Sequence, residues 1–211
     1  MGNIIIGIVG RDEDVNGTKI QAIVKNNLKY LHNRCSYIGI VVFDNNDSVD
    51  YDVLNLCDGI IIQGGSDIYP YHFQIVEYAI NNNIPLLGIC MGHQIIGLYN
   101  QKIEESDLVK IDNHYSKDEL HLVNLMPGTY LEKILGKNIY VNSRHLYKLD
   151  SVSEPLIVSA KSTDDVIEAI EWIDDDHLII GVQWHPEDMN NMDDLYNFFI
   201  SETLKRRLMK K

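Results

Sequence analysis

The chain has 211 residues, of which 45% are hydrophobic, and a formal net charge of -13 from 31 acidic and 18 basic side chains. The length fits one domain, expected to span residues 1–211, and the hydrophobic share is that of a globular core, not of a disordered chain. So negative a surface repels phosphate, which excludes nucleic acid as a general partner and adhesion to an anionic membrane face.

Residues 3–9 form a continuous Ile/Val run closed by Gly10, the pattern of a buried strand. Residues 19–31 carry Ile20, Ile23, Val24, Leu28 and Leu31 at helical spacing and predict a helix that ends near Cys35. Residues 37–43 are a second β-branched run, followed by the turn-rich Asp44-Asn45-Asn46-Asp47, and residues 59–63 are a third, followed by Gly64-Gly65. Residues 73–80 predict a helix, 85–89 a fourth strand, and 91–98 another helix. Apolar runs with little alternation suit strands buried on both faces, and helices between them imply parallel crossovers. After about residue 100 the candidate strands at 120–125, 138–141, 156–159, 166–172 and 178–183 follow through short turns and read as antiparallel. Residues 192–208 predict a closing helix whose apolar stripe is Met192, Leu195, Phe198, Phe199 and Leu204. Its basic end complements the helix dipole and solubilises a frayed terminus.

No apolar run approaches the roughly 20 residues that cross a bilayer, and the N-terminus lacks a signal peptide's basic start and cleavage site. Cys35, Cys57 and Cys90 are an odd set with no close pairing, which suits a reducing cytoplasm. No Cys-x2-Cys or His-x3-His spacing marks a structural zinc, and no metal or organic cofactor is expected.

The sharpest signal is Gly88-Ile89-Cys90-Met91-Gly92, where a buried strand runs into a cysteine framed by glycines and a helix follows directly. This is the Gly-x-Nuc-x-Gly elbow. The turn is too tight for neighbouring side chains, and it lifts Sγ above the strand ends. The helix N-terminus behind it stabilises negative charge on sulfur, and the Met91 N–H is a candidate donor to an oxyanion beside it. A free cysteine is most often a small buried hydrophobe, the reading kept for Cys35 and Cys57, which lack the frame. A base is offered by His185-Pro186-Glu187 at the end of a strand. In extended backbone, residues two apart point the same way, and the proline enforces that conformation. Glu187 is thus placed to hold one imidazole nitrogen of His185 while the other faces a thiol. Gly64-Gly65, at the end of another strand, fits a second oxyanion donor, the Gly65 N–H; alone it would read as a plain turn with Asp67 capping the next helix.

Together the segments Gly88–Gln94, Gly64-Gly65 and His185-Pro186-Glu187 resemble the class I glutamine amidotransferase superfamily, in its order. Finer details are similar to its γ-glutamyl-peptide hydrolase branch, peptidase family C26: Gly-Gly-Ser-Asp-Ile-Tyr-Pro70, Gly-Val-Gln-Trp-His-Pro-Glu187, Val-Asn-Ser-Arg-His145 and Glu-Ala-Ile-Glu171. The resemblance implies an α/β fold, an open and mostly parallel flavodoxin-like sheet flanked by helices, with added antiparallel strands in the C-terminal half and the site at the strand C-termini. It implies a Cys90–His185–Glu187 triad, an oxyanion hole at Gly65 and Met91, a substrate pocket involving Gly64, Gln94, Asn142, Ser143, Arg144 and His145, and a small γ-glutamyl compound as substrate. The sequence departs from the branch in a short stretch after Pro70, in Gln63 where a proline precedes Gly-Gly, and in Leu146-Tyr147 where His-Gln continues the motif. These departures are expected where the leaving group or acceptor sits. The alternatives are a glutaminase subunit that passes ammonia to a separate synthase, and a non-catalytic binding or regulatory module. A homodimer is expected only from the general frequency of two-fold oligomers.

Overall fold

The computed structural model describes residues 4–43, 49–101 and 108–209. In chain order the N-terminal half gives β1 (Ile5–Val9), β2 (Arg11–Val15), β3 (Thr18–Ala22), β4 (Ser36–Ile40), α1 (Tyr51–Asn55), β5 (Gly59–Ile62), α2 (Pro70–Asn81), β6 (Leu86–Ile89) and α3 (Met91–Gln101). The C-terminal half gives β7 (Val109–Lys110), β8 (Tyr115–Leu125), α4 (Tyr130–Leu135), β9 (Asn138–Arg144), β10 (Tyr147–Lys148), β11 (Ile157–Ser162), β12 (Ile167–Ile173), β13 (Leu178–Val182) and α5 (Asp193–Met209).

Nine strands form one sheet in the order β4-β1-β5-β6-β13-β12-β11-β8-β9. From β4 to β13 every pairing is parallel, and from β13 to β9 every pairing is antiparallel. This is the expected mixed sheet with its antiparallel strands in the C-terminal half. Alternate residues of the parallel strands feed opposite faces. Ile6, Ile8, Ile61, Leu87 and Ile89 pack with Tyr30, Leu131, Leu195, Tyr196 and Phe199 on one side. Ile60, Ile62 and Leu86 pack with Leu54, Ile75, Val76, Ile95 and Ile96 on the other. Among the described residues no helix is long and apolar enough to cross a membrane.

Three expectations need correction. The helix over 19–31 does not form. Its first part is β3, paired with β2 in a hairpin, and only Lys25–Leu28 makes a short 3-10 turn before Cys35. The cause is the Asn16-Gly17 turn, with φ of 54° and 81° and the Gly17 N–H donating to Asp14 Oδ1 at 2.7 Å. Positive φ at both central residues is the two-residue hairpin geometry, and it overrides the helical spacing. In α5 the residue that is buried near the end is Thr203, whereas Leu204 is 39% exposed. The basic end of α5 is paired: Arg206 donates to the carbonyls of Asp174, Asp175 and His177, and Arg207 pairs with Asp58 at 2.9 Å. The 44–47 turn lies outside the described residues, as do residue 3 and the last two lysines.

Register brings the site together. Val9 is level with Ile62, Ile62 with Gly88, and Ile89 with Val182. The segments leaving β5, β6 and β13 therefore emerge side by side at the carboxyl edge, where open α/β sheets bind ligands.

Candidate active site

Cys90 connects β6 to α3 at φ 51°, a left-handed conformation that costs a non-glycine residue about 1–3 kcal/mol unless its surroundings hold it. They do: the Cys90 N–H donates to Val182 O at 2.8 Å, and its carbonyl accepts from the Gln94 N–H at 3.1 Å, which starts α3. The flanking glycines are required by close approach. A Cβ on Gly88 would collide with the Gly92 carbonyl, and one on Gly92 with the Ile62 carbonyl.

His185 follows β13, and its imidazole and the Cys90 side chain both border Gly64, where a Cβ would lie 2.6 Å from His185 Cε1 and 3.4 Å from Cys90 Cβ. Its Nδ1 stands 2.8 Å from Glu187 Oε1, which leaves Nε2 for the thiol. Glu187 is almost wholly buried. Burial lowers the His185 pKa, but the Cys90 sulfur and the Glu187 carboxylate raise it by more, and the net result is about 10. Behind the imidazole, Asn142 clamps the His185 backbone. Its Oδ1 accepts the His185 N–H at 2.8 Å, and its Nδ2 donates to the His185 carbonyl at 2.8 Å.

A cavity of about 220 Å³ opens beside Cys90 and is walled by Gly65, Met91, Gln94, Arg144, His145 and Tyr147 among others. Gly65 and Met91 are neighbours: a Cβ on Gly65 would stand 2.9 Å from the Met91 sulfur. Gly64 meets the base instead, since a Cβ there would lie 2.6 Å from His185 Cε1. Gln94 donates to Tyr147 O at 2.9 Å and to Gln183 Oε1 at 3.1 Å. Arg144 is ion-paired with Asp188. Asn142 and Ser143 do not wall the cavity: Asn142 is spent on His185, and the Ser143 hydroxyl donates to His114 O at 2.9 Å.

Two residues at the site escaped sequence reasoning. Gln183, fully buried, directs Nε2 to Cys90 Sγ at 3.6 Å. It stands inside the Gly-Val-Gln-Trp-His-Pro-Glu motif, which is the signal that it matters. Arg11 on β2 donates to the Gly64 carbonyl at 3.3 Å. In a trans peptide C=O and N–H point opposite ways, so this contact turns the Gly65 N–H away from Arg11. Nothing in the sequence marks Arg11, because the hairpin that carries it was read as loop and helix. Gln63 does not wall the cavity. Its Nε2 donates to Val9 O and Ala22 O, both at 2.8 Å, and its Oε1 accepts from Val24 N–H and Asn27. It stitches β3 and the turn after it to the sheet. Leu146 and Tyr147 do wall the cavity. Asp67 does not cap α2, whose N-cap is Tyr69. Cys35 and Cys57 are buried, and burial pushes both thiols up to about 11.

The peptidase C26 family model matches residues 71–187, more than half of the chain and including both Cys90 and the His-Pro-Glu segment. The chain belongs to the peptidase C26 family. It is 30% identical over 178 residues to Protein NtpR of Enterococcus hirae, covering 69% of this chain and 74% of that one. It is 28% identical over 153 residues to a gamma-glutamyl-CDP-amidate hydrolase of Campylobacter jejuni, covering 67% and 68%. The fold matches the glutaminase domain of Trypanosoma brucei CTPS with bound acivicin at a TM-score of 0.66 and 18% identity, over 96% of this chain and 94% of that one. The C26 chain thus has a class I glutamine amidotransferase fold and is an enzyme of the hydrolase or amidotransferase type.

Proposed function

We propose that this C26 chain hydrolyses the γ-glutamyl amide bond of a small γ-glutamyl compound through a glutamyl thioester on Cys90. The observation that carries the reading is an elbow cysteine on a cavity wall that borders Gly64 together with an imidazole whose Nδ1 is held by a buried carboxylate 2.8 Å away. The Cys90 thiolate, with the proton already on His185, attacks the γ-carbonyl, and the C–S bond forms. The N–H groups of Gly65 and Met91 stabilise the oxyanion. Collapse breaks the C–N bond, and His185 hands its proton to the departing amine. Water then loses a proton to His185 and attacks the thioester carbonyl. The C–S bond breaks, glutamate leaves, and the thiolate is restored beside protonated His185. Glu187 fixes the imidazole tautomer and offsets its charge. Arg144, paired with Asp188, and Gln94 are the polar wall residues proposed to face the glutamyl part, since a net charge of -13 does not itself attract a carboxylate. The chemistry asks for no organic cofactor.

The test is glutamate release from a panel of glutamine, γ-glutamyl amino acids and γ-glutamyl amines, with Cys90→Ala as control. Turnover of at least one substrate by the wild type alone is expected. Equal behaviour of both proteins on every substrate would refute it. A second reading, a glutaminase subunit that serves a separate synthase, is favoured by the likeness to a CTPS glutaminase domain. A chain inert on the whole panel until a synthase is added would select it.

A further inference from the structure

Beside the cavity, whose wall includes His145, three imidazoles converge on one buried carboxylate. Glu168 on β12 has a side chain with no solvent exposure, and neither of its oxygens receives a hydrogen bond. Around its Oε1 stand His114 Nδ1 at 3.2 Å, His121 Nε2 at 3.3 Å and His145 Nε2 at 3.5 Å. His114 Nδ1 is 3.2 Å from His145 Nε2. We propose that His114, His121, His145 and Glu168 are the ligands of a divalent transition-metal ion, with zinc the best match.

Three observations support the assignment. The first is separation. Metal–ligand bonds of about 2.0–2.1 Å in a tetrahedron place ligand atoms about 3.3–3.4 Å apart. The four separations measured here, 3.2, 3.2, 3.3 and 3.5 Å, fall on that edge length. The second is the tautomer. His145 Nδ1 lies 3.0 Å from the Tyr147 carbonyl, and His114 Nε2 lies 3.0 Å from Asp164 Oδ2. Each of these outer nitrogens therefore carries the hydrogen, and in the neutral imidazole the inner nitrogen presents a lone pair toward Glu168. Neutral imidazoles with their lone pairs facing a carboxylate at this range are held together by a cation among them, a metal ion in place of the protons of imidazolium. A hydrogen bond from the outer nitrogen to a carboxylate or carbonyl is also the usual support of a metal-bound histidine. The third is charge. A buried carboxylate without a partner is costly. A divalent ion balances Glu168 and the supporting Asp164 together.

Three imidazoles and one carboxylate suit zinc more than calcium or magnesium, which take oxygen ligands. Four protein ligands make a closed site, so the ion is structural and takes no step in the hydrolysis. It would cross-link β8, β9 and β12 behind the cavity wall. The brace reaches the nucleophile in two contacts, because the Glu168 carbonyl accepts the Gln183 N–H at 2.8 Å and Gln183 reaches Cys90.

The test uses the full chain carrying Cys90→Ala, so that the thiol and His185 do not compete for metal. Zinc binding is followed by equilibrium dialysis, and cobalt(II) binding by visible absorption. One ion per chain and the absorption of four-coordinate cobalt are expected. Asp164→Asn should weaken binding about 10–100-fold, the usual cost of losing a supporting partner. His121→Ala and Glu168→Gln should abolish stoichiometric binding. If Glu168→Gln fails to fold, His121→Ala and Asp164→Asn decide, since those side chains are 21% and 53% exposed and tolerate change. Absence of stoichiometric zinc or cobalt binding would overturn the proposal, with protons on the histidines then balancing Glu168. So would unchanged affinity in both His121→Ala and Asp164→Asn. Failure here leaves the thioester reading untouched, because Cys90 is absent from the tested chain.

Discussion

Gly64→Ala separates catalysis from folding. The added methyl would stand 2.6 Å from His185 Cε1 and 3.4 Å from Cys90 Cβ. Carbon–carbon contact is comfortable from about 3.5 Å, so the imidazole must retreat by about 0.9 Å. It is held from behind by Glu187 at 2.8 Å and by the Asn142 clamp on its backbone, and the retreat breaks one or both holds. A misplacement near 1 Å costs roughly 100-fold in rate, so kcat/KM should fall about 100-fold. The fold should lose only about 1–2 kcal/mol, because the crowded atom belongs to a side chain. Gly88→Ala is the contrast. There the methyl meets the Gly92 carbonyl, which is backbone of α3 and has nowhere to go. About 3 kcal/mol or more of stability should be lost. The assay pairs steady-state glutamate release with thermal melts of both variants. A Gly64→Ala protein with native melting and undiminished kcat/KM would refute the placement of His185 against Gly64.

Further expectations follow from the same geometry. Glu187→Gln should lower kcat by about 10²–10⁴ with little change in KM, read from glutamate release. Because the His185 pKa is raised to about 10, its contribution to stability is full below about pH 6.5 and fades as pH rises toward 10. Melting temperature should therefore decline over that window, and the decline should be shallower in Glu187→Gln. Asn142→Ala removes two hydrogen bonds and should cost roughly 1–3 kcal/mol in urea unfolding along with most of kcat. Arg11→Ala releases the Gly64 carbonyl and should reduce kcat more than it raises KM in the same kinetic assay.

Much of the fold was legible because buried parallel strands write themselves as unbroken Ile/Val/Leu runs. β1, β5, β6 and β13 were all visible that way. The elbow and the His-Pro-Glu segment were legible because each packs its chemistry into a few consecutive residues. The β2–β3 hairpin was not, although Asn16-Gly17 signals it, because Ile20, Ile23, Val24 and Leu28 mimic a helical face. Gln63, Arg11 and Gln183 act through contacts 36–93 residues away in sequence, which no local pattern encodes. The same holds for His114, His121, His145 and Glu168. β8 and the residue before it, the residue after β9, and β12 supply them, so no short ligand spacing appears. The expectation of no metal rested on that missing spacing and on thioester chemistry that needs none.

The central claim is a covalent glutamyl group on Cys90, and acid-quenched intact-mass and peptide-mapping analysis during turnover of a γ-glutamyl anilide tests it most directly. The account predicts a glutamyl adduct on the peptide that contains Cys90, formed within the first turnover and absent from Cys90→Ala. Glutamate released at the wild-type rate by Cys90→Ala, or an adduct that maps to Cys35 or Cys57, would contradict it.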